Sequence, residues 1–436
     1  MIRILSCLIV LIFLFVNEYA QDNSQRSGLL EFAVPESAGF SSARLARLDD
    51  VFKEYVDNEW CQGGAALIAR DSKIIYYKGF GYDDIEIKTP FKKDAIFRIA
   101  SQTKAVTSVA VMMLFEEGKF LLDDPVSKYL PEFKGQRVID TFNEDDSTYT
   151  TVEAKHQVTI RELLTHTSGL GYPLLQSKAM NAIFAKSEII MGITEDKILL
   201  SEQMKKLGAL PLAHQPGEKY TYGLSTDVLG YLVEVVSGMS LNQFFHERIF
   251  KPLGMNDTYF YLPKEKFDRL ATLYSEDSTK HLIKIKPSQR GFNPDYPKTE
   301  GTYFSGGGGL VSTAYDYSLF LQMLANGGEY NGKRMLGLKT IKMMSTNQIG
   351  DLVSGSLYVP RGGGKFGLGF EVISEAGSKQ ILLSEGTYGW GGTFGSLYWI
   401  DPKEKIIAQL VIQKAPNSYE TIRAKFITLI YQALEK

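Results

Sequence analysis

Apolar and polar positions recur along this chain with two periods, and both ends of the chain show the same combination of elements. Residues 41–56 carry apolar side chains at helical spacing, as do residues 419–434 near the far end. Two pairs of strand-like runs, each joined by a polar turn, predict β-hairpins: 65–69 with 73–78, and 396–400 with 406–412. A helix before one hairpin and after the other predicts a single antiparallel sheet to which both ends contribute.

The middle of the chain predicts mainly helix and loop. The clearest helical runs are 105–117, 160–165 and 225–237, and 138–153 predicts two short strands around an acidic turn. We therefore predict an α/β fold in which an antiparallel β-sheet is flanked by N- and C-terminal helices and carries an inserted mainly helical region. One domain, 37–436, would hold an α/β part (about 37–104 and 305–436) and a helical region (about 105–304).

The first residues have the pattern of a secretory signal peptide. Arg3 supplies a positive charge, residues 4–16 form an apolar run, and Ala20 is a small residue suited to cleavage. The run is shorter than the ~20 apolar residues of a membrane-spanning helix, and no later segment is apolar enough to span a membrane. We predict a signal peptide at 1–20, a tether at 21–36, and export to the periplasm or secretion. An N-terminal anchor that is retained is the alternative.

Composition and charge exclude several classes of partner. The 436 residues include 48 basic and 50 acidic side chains, and no block of like charge indicates a surface for nucleic acid or an anionic membrane. Cys61 is the one cysteine left after signal cleavage, and its neighbours match no thiol motif, so we expect a packed structural side chain. The five histidines lack metal-ligand spacing, and we expect neither a metal nor an organic cofactor.

Ser101 and Lys104 are the strongest candidates for chemistry. They form the one Ser-x-x-Lys in the chain, after a strand-like run and at the start of the helix at 105–117. One helical turn separates them, so both side chains lie on one face. A serine hydroxyl becomes a nucleophile when a base removes its proton, and a lysine is that base when burial lowers its pKa toward neutrality. The alternative is that Ser101 only caps the helix and Lys104 is solvated.

Two further segments carry candidate site residues. A Pro-Gly turn precedes Tyr222, just before the helix at 225–237, and a phenol near a lysine can relay a proton as acid or base. As an isolated tyrosine it would be a packing residue. Residues 386–395 are dense in glycine and lead into the strand at 396–400, so an edge there either offers a second backbone N–H to an oxyanion or is a simple bulge.

In this order, the three elements resemble the serine β-lactamase and penicillin-binding-protein superfamily, most closely the class C β-lactamase branch and the related family VIII carboxylesterases. The resemblance runs from about residue 36 to the end and is carried by these stretches: 97–104, 121–126, 160–169, 306–312 and 390–392. It implies a β-lactamase/transpeptidase-like fold, with Ser101 as nucleophile, Lys104 as base and Tyr222 as the tyrosine of a Tyr-x-Asn element. It also implies an oxyanion hole formed by the N–H groups of Ser101 and Thr393.

The chain departs from the superfamily pattern at positions that contact substrate. Leu224 stands where Tyr-x-Asn has its asparagine, and Trp390-Gly391-Gly392 stands where a Lys-Thr-Gly box is expected. Loss of that lysine removes a charge-assisted contact to a substrate carboxylate, worth ~1.5–3 kcal/mol, which favours uncharged esters. We therefore predict a carboxylesterase whose partner is a small-molecule ester or amide, with these four residues in the substrate site.

Three alternatives stay open. A β-lactamase or D-amino-acid peptidase would use the same nucleophile, and a transacylase would replace water by an alcohol or amine. A non-catalytic binding protein on the same fold is the alternative from another class, and the presence of Ser101, Lys104 and Tyr222 argues against it. Whether the base is Lys104 alone or the coupled Lys104–Tyr222 pair is also open.

Overall fold

A computed structural model describes residues 28–287, 293–354, 358 and 363–436. The helices of these residues are α1 (Ser42–Leu45), α2 (Arg47–Asp57), α3 (Thr103–Glu116), α4 (Ile160–Leu164), α5 (Lys178–Lys186), α6 (Leu200–Gly208), α7 (Ser225–Ser237), α8 (Leu241–Phe245), α9 (Lys251–Leu253), α10 (Ala314–Ala325), α11 (Leu338–Met344), α12 (Glu375–Ser378) and α13 (Thr421–Ala433). None of them is long and apolar enough to cross a membrane.

The strands are mostly short, and the long ones lie at the two ends of the chain. They are β1 (Glu31–Phe32), β2 (Gly63–Arg70), β3 (Lys73–Asp84), β4 (Thr89–Pro90), β5 (Phe97–Arg98), β6 (Arg137–Phe142), β7 (Tyr149–Glu153), β8 (Tyr274–Glu276), β9 (Leu282–Lys284), β10 (Val311–Ser312), β11 (Glu329–Tyr330), β12 (Lys333–Arg334), β13 (Gly364–Phe366), β14 (Glu371–Ile373), β15 (Tyr388–Gly392), β16 (Ser396–Asp401) and β17 (Ile406–Ile412).

Both ends of the chain build one sheet, as predicted. Within the described ranges its strand order is β1-β3-β2-β17-β16-β15-β14-β13, with β4 paired to β3. Strand β17 joins the halves, because it pairs with β2 in antiparallel register from Ile406↔Arg70 to Ile412↔Gly64 and with β16 on its other side. All of these pairs are antiparallel except β1 with β3. The fold prediction, an antiparallel sheet flanked by terminal helices with an inserted helical region, is confirmed.

The terminal helices cover one face of the sheet. Phe52 of α2 and Phe426 of α13 have ring centroids 6.1 Å apart, and Phe426 meets Trp399 of β16 edge-on at 5.6 Å. Because such aromatic pairs bury large apolar areas, this layer holds the N- and C-terminal helices together on the sheet. Helices α3 and α10 belong to the larger core on the opposite face, which extends into the helical region around α7.

Residues 1–27, which include the predicted signal peptide, lie outside the described residues. The rest of the predicted tether is not a free linker. Glu31 and Phe32 pair in parallel with β3, Leu30 is buried, and its backbone N–H donates to the Tyr330 hydroxyl at 3.3 Å. Burial of one apolar side chain in this segment explains why a polar stretch nevertheless packs against the domain.

Candidate active site

Ser101 lies in a strained turn between a strand and a helix. The turn is a 3-10 helix over Ala100–Gln102, between β5 and α3, so Ser101 precedes α3 rather than opening it as predicted. Ala100 has φ +45°, a left-handed backbone that costs a non-glycine residue of the order of 1–3 kcal/mol. The neighbouring segments fix this conformation. Before Ala100, the Ile99 N–H donates to the Leu310 carbonyl at 3.1 Å, and after it, α3 packs into the core. The strain thus presents a partly exposed Ser101 side chain.

Lys104 is buried beside Ser101, with 2% of its surface exposed. Its ammonium nitrogen has three acceptors: the Ser101 hydroxyl at 3.4 Å, the Tyr172 hydroxyl at 2.8 Å and the Gly307 carbonyl at 2.6 Å. Three acceptors match the three N–H bonds of a lysine ammonium group. The alternative in which Ser101 caps a helix and Lys104 is solvated is wrong, because Gln102 occupies the cap position and Lys104 is enclosed.

Burial and neighbouring groups shift the pKa of Lys104 in opposite directions. Burial lowers the pKa of Lys104. The interactions with Tyr172, Tyr222 and Asp227 raise it by a larger amount, so the net pKa lies above that of a free lysine. Asp227 is completely buried, and burial raises the pKa of its carboxyl. The net shift is therefore upward, opposite to the direction that we expected from burial alone, and the role of Lys104 as base stays a prediction.

Tyr222 stands in an aromatic box beside this ammonium group. Its ring lies 4.9 Å from His166, 5.5 Å from Tyr172 and 5.3 Å from Trp390, centroid to centroid. Lys104 Nζ lies 4.7 Å from the Tyr222 ring centroid, and Trp390 Nε1 donates to the Tyr222 hydroxyl oxygen at 3.2 Å. Burial and the charge of Lys104 hold the pKa of His166 well below its usual range, so His166 packs here as a neutral ring.

Ser101 and Tyr222 open on one cavity of about 260 Å³. The cavity is also lined by residues of β15 and β16, by Tyr358, and by the start of α13: Trp390, Gly391, Gly392, Thr393, Ser396, Leu397, Glu420 and Arg423. Strand β14 pairs only with the first two residues of β15, so the Gly391–Gly392 edge has no strand partner on that side in the described ranges. Thr393 is exposed at the end of this edge.

The glycines of β15 allow the close approach of the Ser101 turn. A Cβ atom on Gly392 would lie 2.5 Å from the Ile99 carbonyl oxygen and 2.6 Å from Ser396 Oγ, closer than any side chain tolerates. Backbone therefore packs on backbone where β15 meets the turn. Strand β15 pairs regularly with β16 over Tyr388–Gly392, so the alternative of a bulge is wrong, and the oxyanion N–H at this edge stays a prediction.

Leu224 is placed differently from the other predicted site residues. Its side chain is completely buried in the core at the start of α7, and it is not among the residues that line the cavity. An apolar side chain at this position gains more from core packing than from a partly wet cavity, which explains its inward direction. Leu224 has no surface with which to contact a substrate, and we correct its assignment.

Four groups of the site were missed by sequence reasoning. Tyr172 and Gly307 bind Lys104, and Asp227 accepts from Ser305 Oγ at 2.6 Å and from Gly307 N–H at 3.2 Å. Tyr172 is one of 24 tyrosines and carries no motif, while Asp227 in the first turn of a helix resembles an ordinary dipole-compensating residue. The fourth group is the ion pair of Glu420 and Arg423 at the start of α13, which is far from every motif in sequence.

Cys61 and the possible metal-ligating side chains form no second reactive site among the described residues. Cys61 is buried, and burial raises the pKa of its thiol to about 12, so it is the packed residue that we expected. In the part of the chain that the structure describes, His, Cys, Asp and Glu side chains form no group of three or more that would hold a metal ion.

Comparison with known proteins identifies the family. The sequence model of the β-lactamase family matches residues 48–432, and the chain therefore belongs to this family of serine hydrolases. Protein Rv1367c of Mycobacterium tuberculosis is 31% identical over 411 residues, covering 88% of this chain and 97% of the relative. Esterase EstB of Burkholderia gladioli is 31% identical over 380 residues, covering 84% and 90%.

A solved structure supports the same assignment. EstCE1, described as a hydrolase with promiscuous acyltransferase activity, superposes with a TM-score of 0.75 at 28% identity, covering 89% of this chain and 99% of that one. The fold, the family match and the similarity to an esterase together define the chain as a serine hydrolase related to β-lactamases. The resemblance stated from the motifs is thereby confirmed, whereas the roles of the individual site residues stay predictions.

Proposed function

We propose that this chain is a carboxylesterase that hydrolyses small uncharged esters through an acyl-enzyme on Ser101. The observation that carries the proposal is the cavity that contains Ser101, Tyr222 and Trp390, with Lys104 buried behind them. Trp390 stands where the resemblance to lactam-processing enzymes implies a lysine, and the described residues at this end of the cavity include no cation that would bind a lactam carboxylate.

The proton of Ser101 would pass to the Tyr222 oxygen. Lys104 lies within hydrogen-bond distance of Ser101 and Tyr172, and with its pKa raised it would act in the free enzyme as a positive charge rather than as the acceptor. Acceptance of this proton requires a phenolate at Tyr222, and the charge of Lys104 and the N–H donor of Trp390 are the groups that would favour negative charge on its oxygen. The serine oxygen attacks the ester carbonyl, and Tyr222 then returns the proton to the departing alcohol oxygen.

The second half of the reaction would repeat these steps with water. Tyr222 accepts a proton from water, the hydroxide oxygen attacks the acyl carbonyl, and the proton returns to Ser101 as the acid departs. In both halves the carbonyl oxygen becomes negative, and backbone N–H groups of Ser101 and Thr393 would bind it. Both residues line the cavity, and the Gly391–Gly392 edge, which has no strand partner in the described ranges, leads directly to Thr393.

The printed names of two relatives support an ester as substrate. EstB is named an esterase, and EstCE1 is described as a hydrolase that also transfers acyl groups. Transfer to an alcohol is therefore the second candidate activity, and it differs only in the molecule that attacks the acyl-enzyme. Product analysis in the presence of a primary alcohol would separate ester exchange from hydrolysis.

Kinetics with two chromogenic substrates test the proposal. Purified protein should turn over p-nitrophenyl butyrate at least a hundredfold faster, as kcat/KM, than a chromogenic cephalosporin, and Ser101→Ala should abolish both activities. A fluorophosphonate should label the wild type at Ser101, as located by peptide mass spectrometry. Faster turnover of the cephalosporin would favour a lactamase, and an unlabelled, inactive wild type would favour a binding protein.

We also propose that the enzyme is exported. The support is the pattern of residues 1–20, a positive charge followed by a short apolar run and a small residue. Expression in a bacterial host and N-terminal sequencing of the soluble protein from the periplasm would test this. A mature chain that begins near residue 21 is the expected result, and an intact chain recovered with the membrane would indicate a retained anchor.

A further inference from the structure

The wall of the cavity formed by the start of α13 carries charged side chains. Glu420 is the residue before α13, and Arg423 lies one turn later, with its Nη2 atom 3.2 Å from a carboxylate oxygen of Glu420. Both side chains line the cavity that contains Ser101. Among the described residues of this lining, they are the only two charged side chains.

The two charges cancel within the wall. The side chain of Arg423 is 19% exposed and that of Glu420 is 60% exposed, so the carboxylate lies on the solvent side of the guanidinium. Among the described residues, no second carboxylate lies within ion-pair distance of Arg423. Glu420 also lies at the N-terminus of a 13-residue helix, where the helix dipole favours a negative charge. The carboxylate thus lies directly over the arginine.

We propose that Glu420 masks Arg423 as a carboxylate-binding residue, and that this ion pair makes the cavity select uncharged esters over esters that carry a carboxylate. The inference rests on the proposed function and names the residue that sets its substrate class. A substrate carboxylate would have to displace Glu420 from Arg423 and would meet its negative charge at close range. An uncharged substrate would meet a wall without net charge.

This device is separate from the replacement at Trp390. Trp390 removes a cation beside Tyr222, whereas Arg423 leaves a cation at the α13 end of the same cavity. Arginine binds carboxylates in a bidentate manner, so an uncovered Arg423 would be an effective anion site. Selection against carboxylates therefore requires both the tryptophan and Glu420.

Substitution of Glu420 should shift the preference toward esters that carry a carboxylate without unfolding the protein. An ion pair with an exposed carboxylate contributes little to stability, so Glu420→Gln should fold. Two matched ester pairs place the carboxylate on either half of the substrate: p-nitrophenyl valerate with mono-p-nitrophenyl glutarate, and phenyl valerate with p-carboxyphenyl valerate. For at least one pair, the ratio of kcat/KM for the charged ester to that for the uncharged ester should rise about tenfold.

Two control variants isolate the cause. Glu54→Gln removes a carboxylate that pairs with Lys425 of the same helix at 3.0 Å but does not line the cavity, and its ratios should stay within twofold of the wild type. The double variant Glu420→Gln/Arg423→Gln should lose the gain. If Glu420→Gln and Glu54→Gln have equal ratios while uncharged esters are turned over, the inference is overturned and the esterase stands. If the wild type turns over none of the uncharged esters, the proposed function fails, and the inference fails with it.

Discussion

Trp390 offers the clearest single-residue test of the proposed proton acceptor. Its indole N–H donates to the Tyr222 oxygen, and a donor at this place favours the phenolate that would accept the proton of Ser101. Trp390→Phe keeps a ring against Tyr222 and Phe366 but removes the N–H. We expect kcat/KM for p-nitrophenyl butyrate to fall about tenfold, the size of one ordinary hydrogen bond of ~1.4 kcal/mol.

The chain supplies a matched control for this prediction. Trp399 Nε1 donates to the Tyr431 hydroxyl at the same 3.2 Å, on the face of the sheet away from Ser101. Trp399→Phe should lower the free energy of unfolding, because it creates a void in the aromatic layer, yet leave kcat/KM of the folded protein within twofold. Equal losses of kcat/KM in the two variants would mean that the Trp390 bond only stabilises the fold.

Asp227 sets the charge balance around Lys104. Asp227→Asn keeps the shape and the acceptor oxygen for Ser305 and Gly307 but removes the negative charge. Loss of an anion lowers the pKa of neighbouring groups, so the acid limb of the pH profile of kcat/KM should move to lower pH. A shift of about one unit corresponds to a charge within ~10 Å at an effective dielectric constant of ~20.

Asp316→Asn is the control for that profile. Asp316 is also buried, but its carboxylate accepts from Asp257 N–H and the Thr258 hydroxyl and does not belong to the charges around Lys104. Its acid limb should coincide with that of the wild type. If Asp227→Asn also leaves the limb in place, Asp227 is protonated in the free enzyme and does not act as the counter-charge.

Some residues of the site could be predicted from the sequence, and others could not. Ser101, Lys104 and Tyr222 were found because each stands in a short motif beside a helix that its apolar pattern reveals. The burial of Lys104 and its net charge depend on Tyr172, Gly307 and Asp227, which join the site through tertiary packing alone. No spacing rule relates residues 172, 227 and 307 to residue 104, so the upward shift in the pKa of Lys104 could not be predicted from the sequence.

The loop before β10 shows how an element constrains the site through backbone. A Cβ atom on Gly307 would lie 2.3 Å from Asp227 Oδ2 and 3.0 Å from the Tyr172 hydroxyl oxygen, whereas the atom nearest to a Cβ on Gly308 would be 3.8 Å away. Gly307→Ala should therefore lower the free energy of unfolding by about 2–4 kcal/mol and lower kcat/KM at least tenfold.

Gly308→Ala is the neighbouring control for this element. Its Cβ has room, so both quantities should stay close to wild type, within about 1 kcal/mol for unfolding. Chemical denaturation and ester kinetics on the two variants measure the difference. Equal effects at the two positions would show that the loop tolerates or rejects side chains for reasons other than contact with Asp227 and Tyr172.

Elements were predicted best where one pattern determines them. The helix at 225–237 and the strand at 406–412 have the predicted bounds, since each combines a strong apolar period with a clear turn at its end. Helix α3 begins at Thr103, two residues before the predicted start at 105, and the 3-10 turn over Ala100–Gln102 that leads into it carries no apolar period of its own. The inward direction of Leu224 follows from packing around α7, to which no local pattern refers.

At the scale of the whole molecule, buried acids make stability depend on pH. Burial raises the pKa of Asp316 to about 6, from an ordinary value near 3.8. The folded state thus holds this proton more tightly than the unfolded state, and the free energy of unfolding falls as pH rises from about 4 to about 6. Between pH 4.5 and pH 7 the contribution amounts to roughly 2 kcal/mol, at ~1.36 kcal/mol per pKa unit.

Asp316→Asn resembles the protonated side chain at every pH and should remove this contribution. The difference in the free energy of unfolding between Asp316→Asn and the wild type should be roughly 2 kcal/mol more positive at pH 7 than at pH 4.5. Urea denaturation at the two pH values measures this difference. Asp50→Asn, at an exposed position of α2, is the control and should show no such change. A difference for Asp316→Asn that is the same at both pH values would mean that the carboxyl titrates alike in the folded and unfolded chain. Ionisation of the buried Asp316 carboxyl would then not lower the free energy of unfolding.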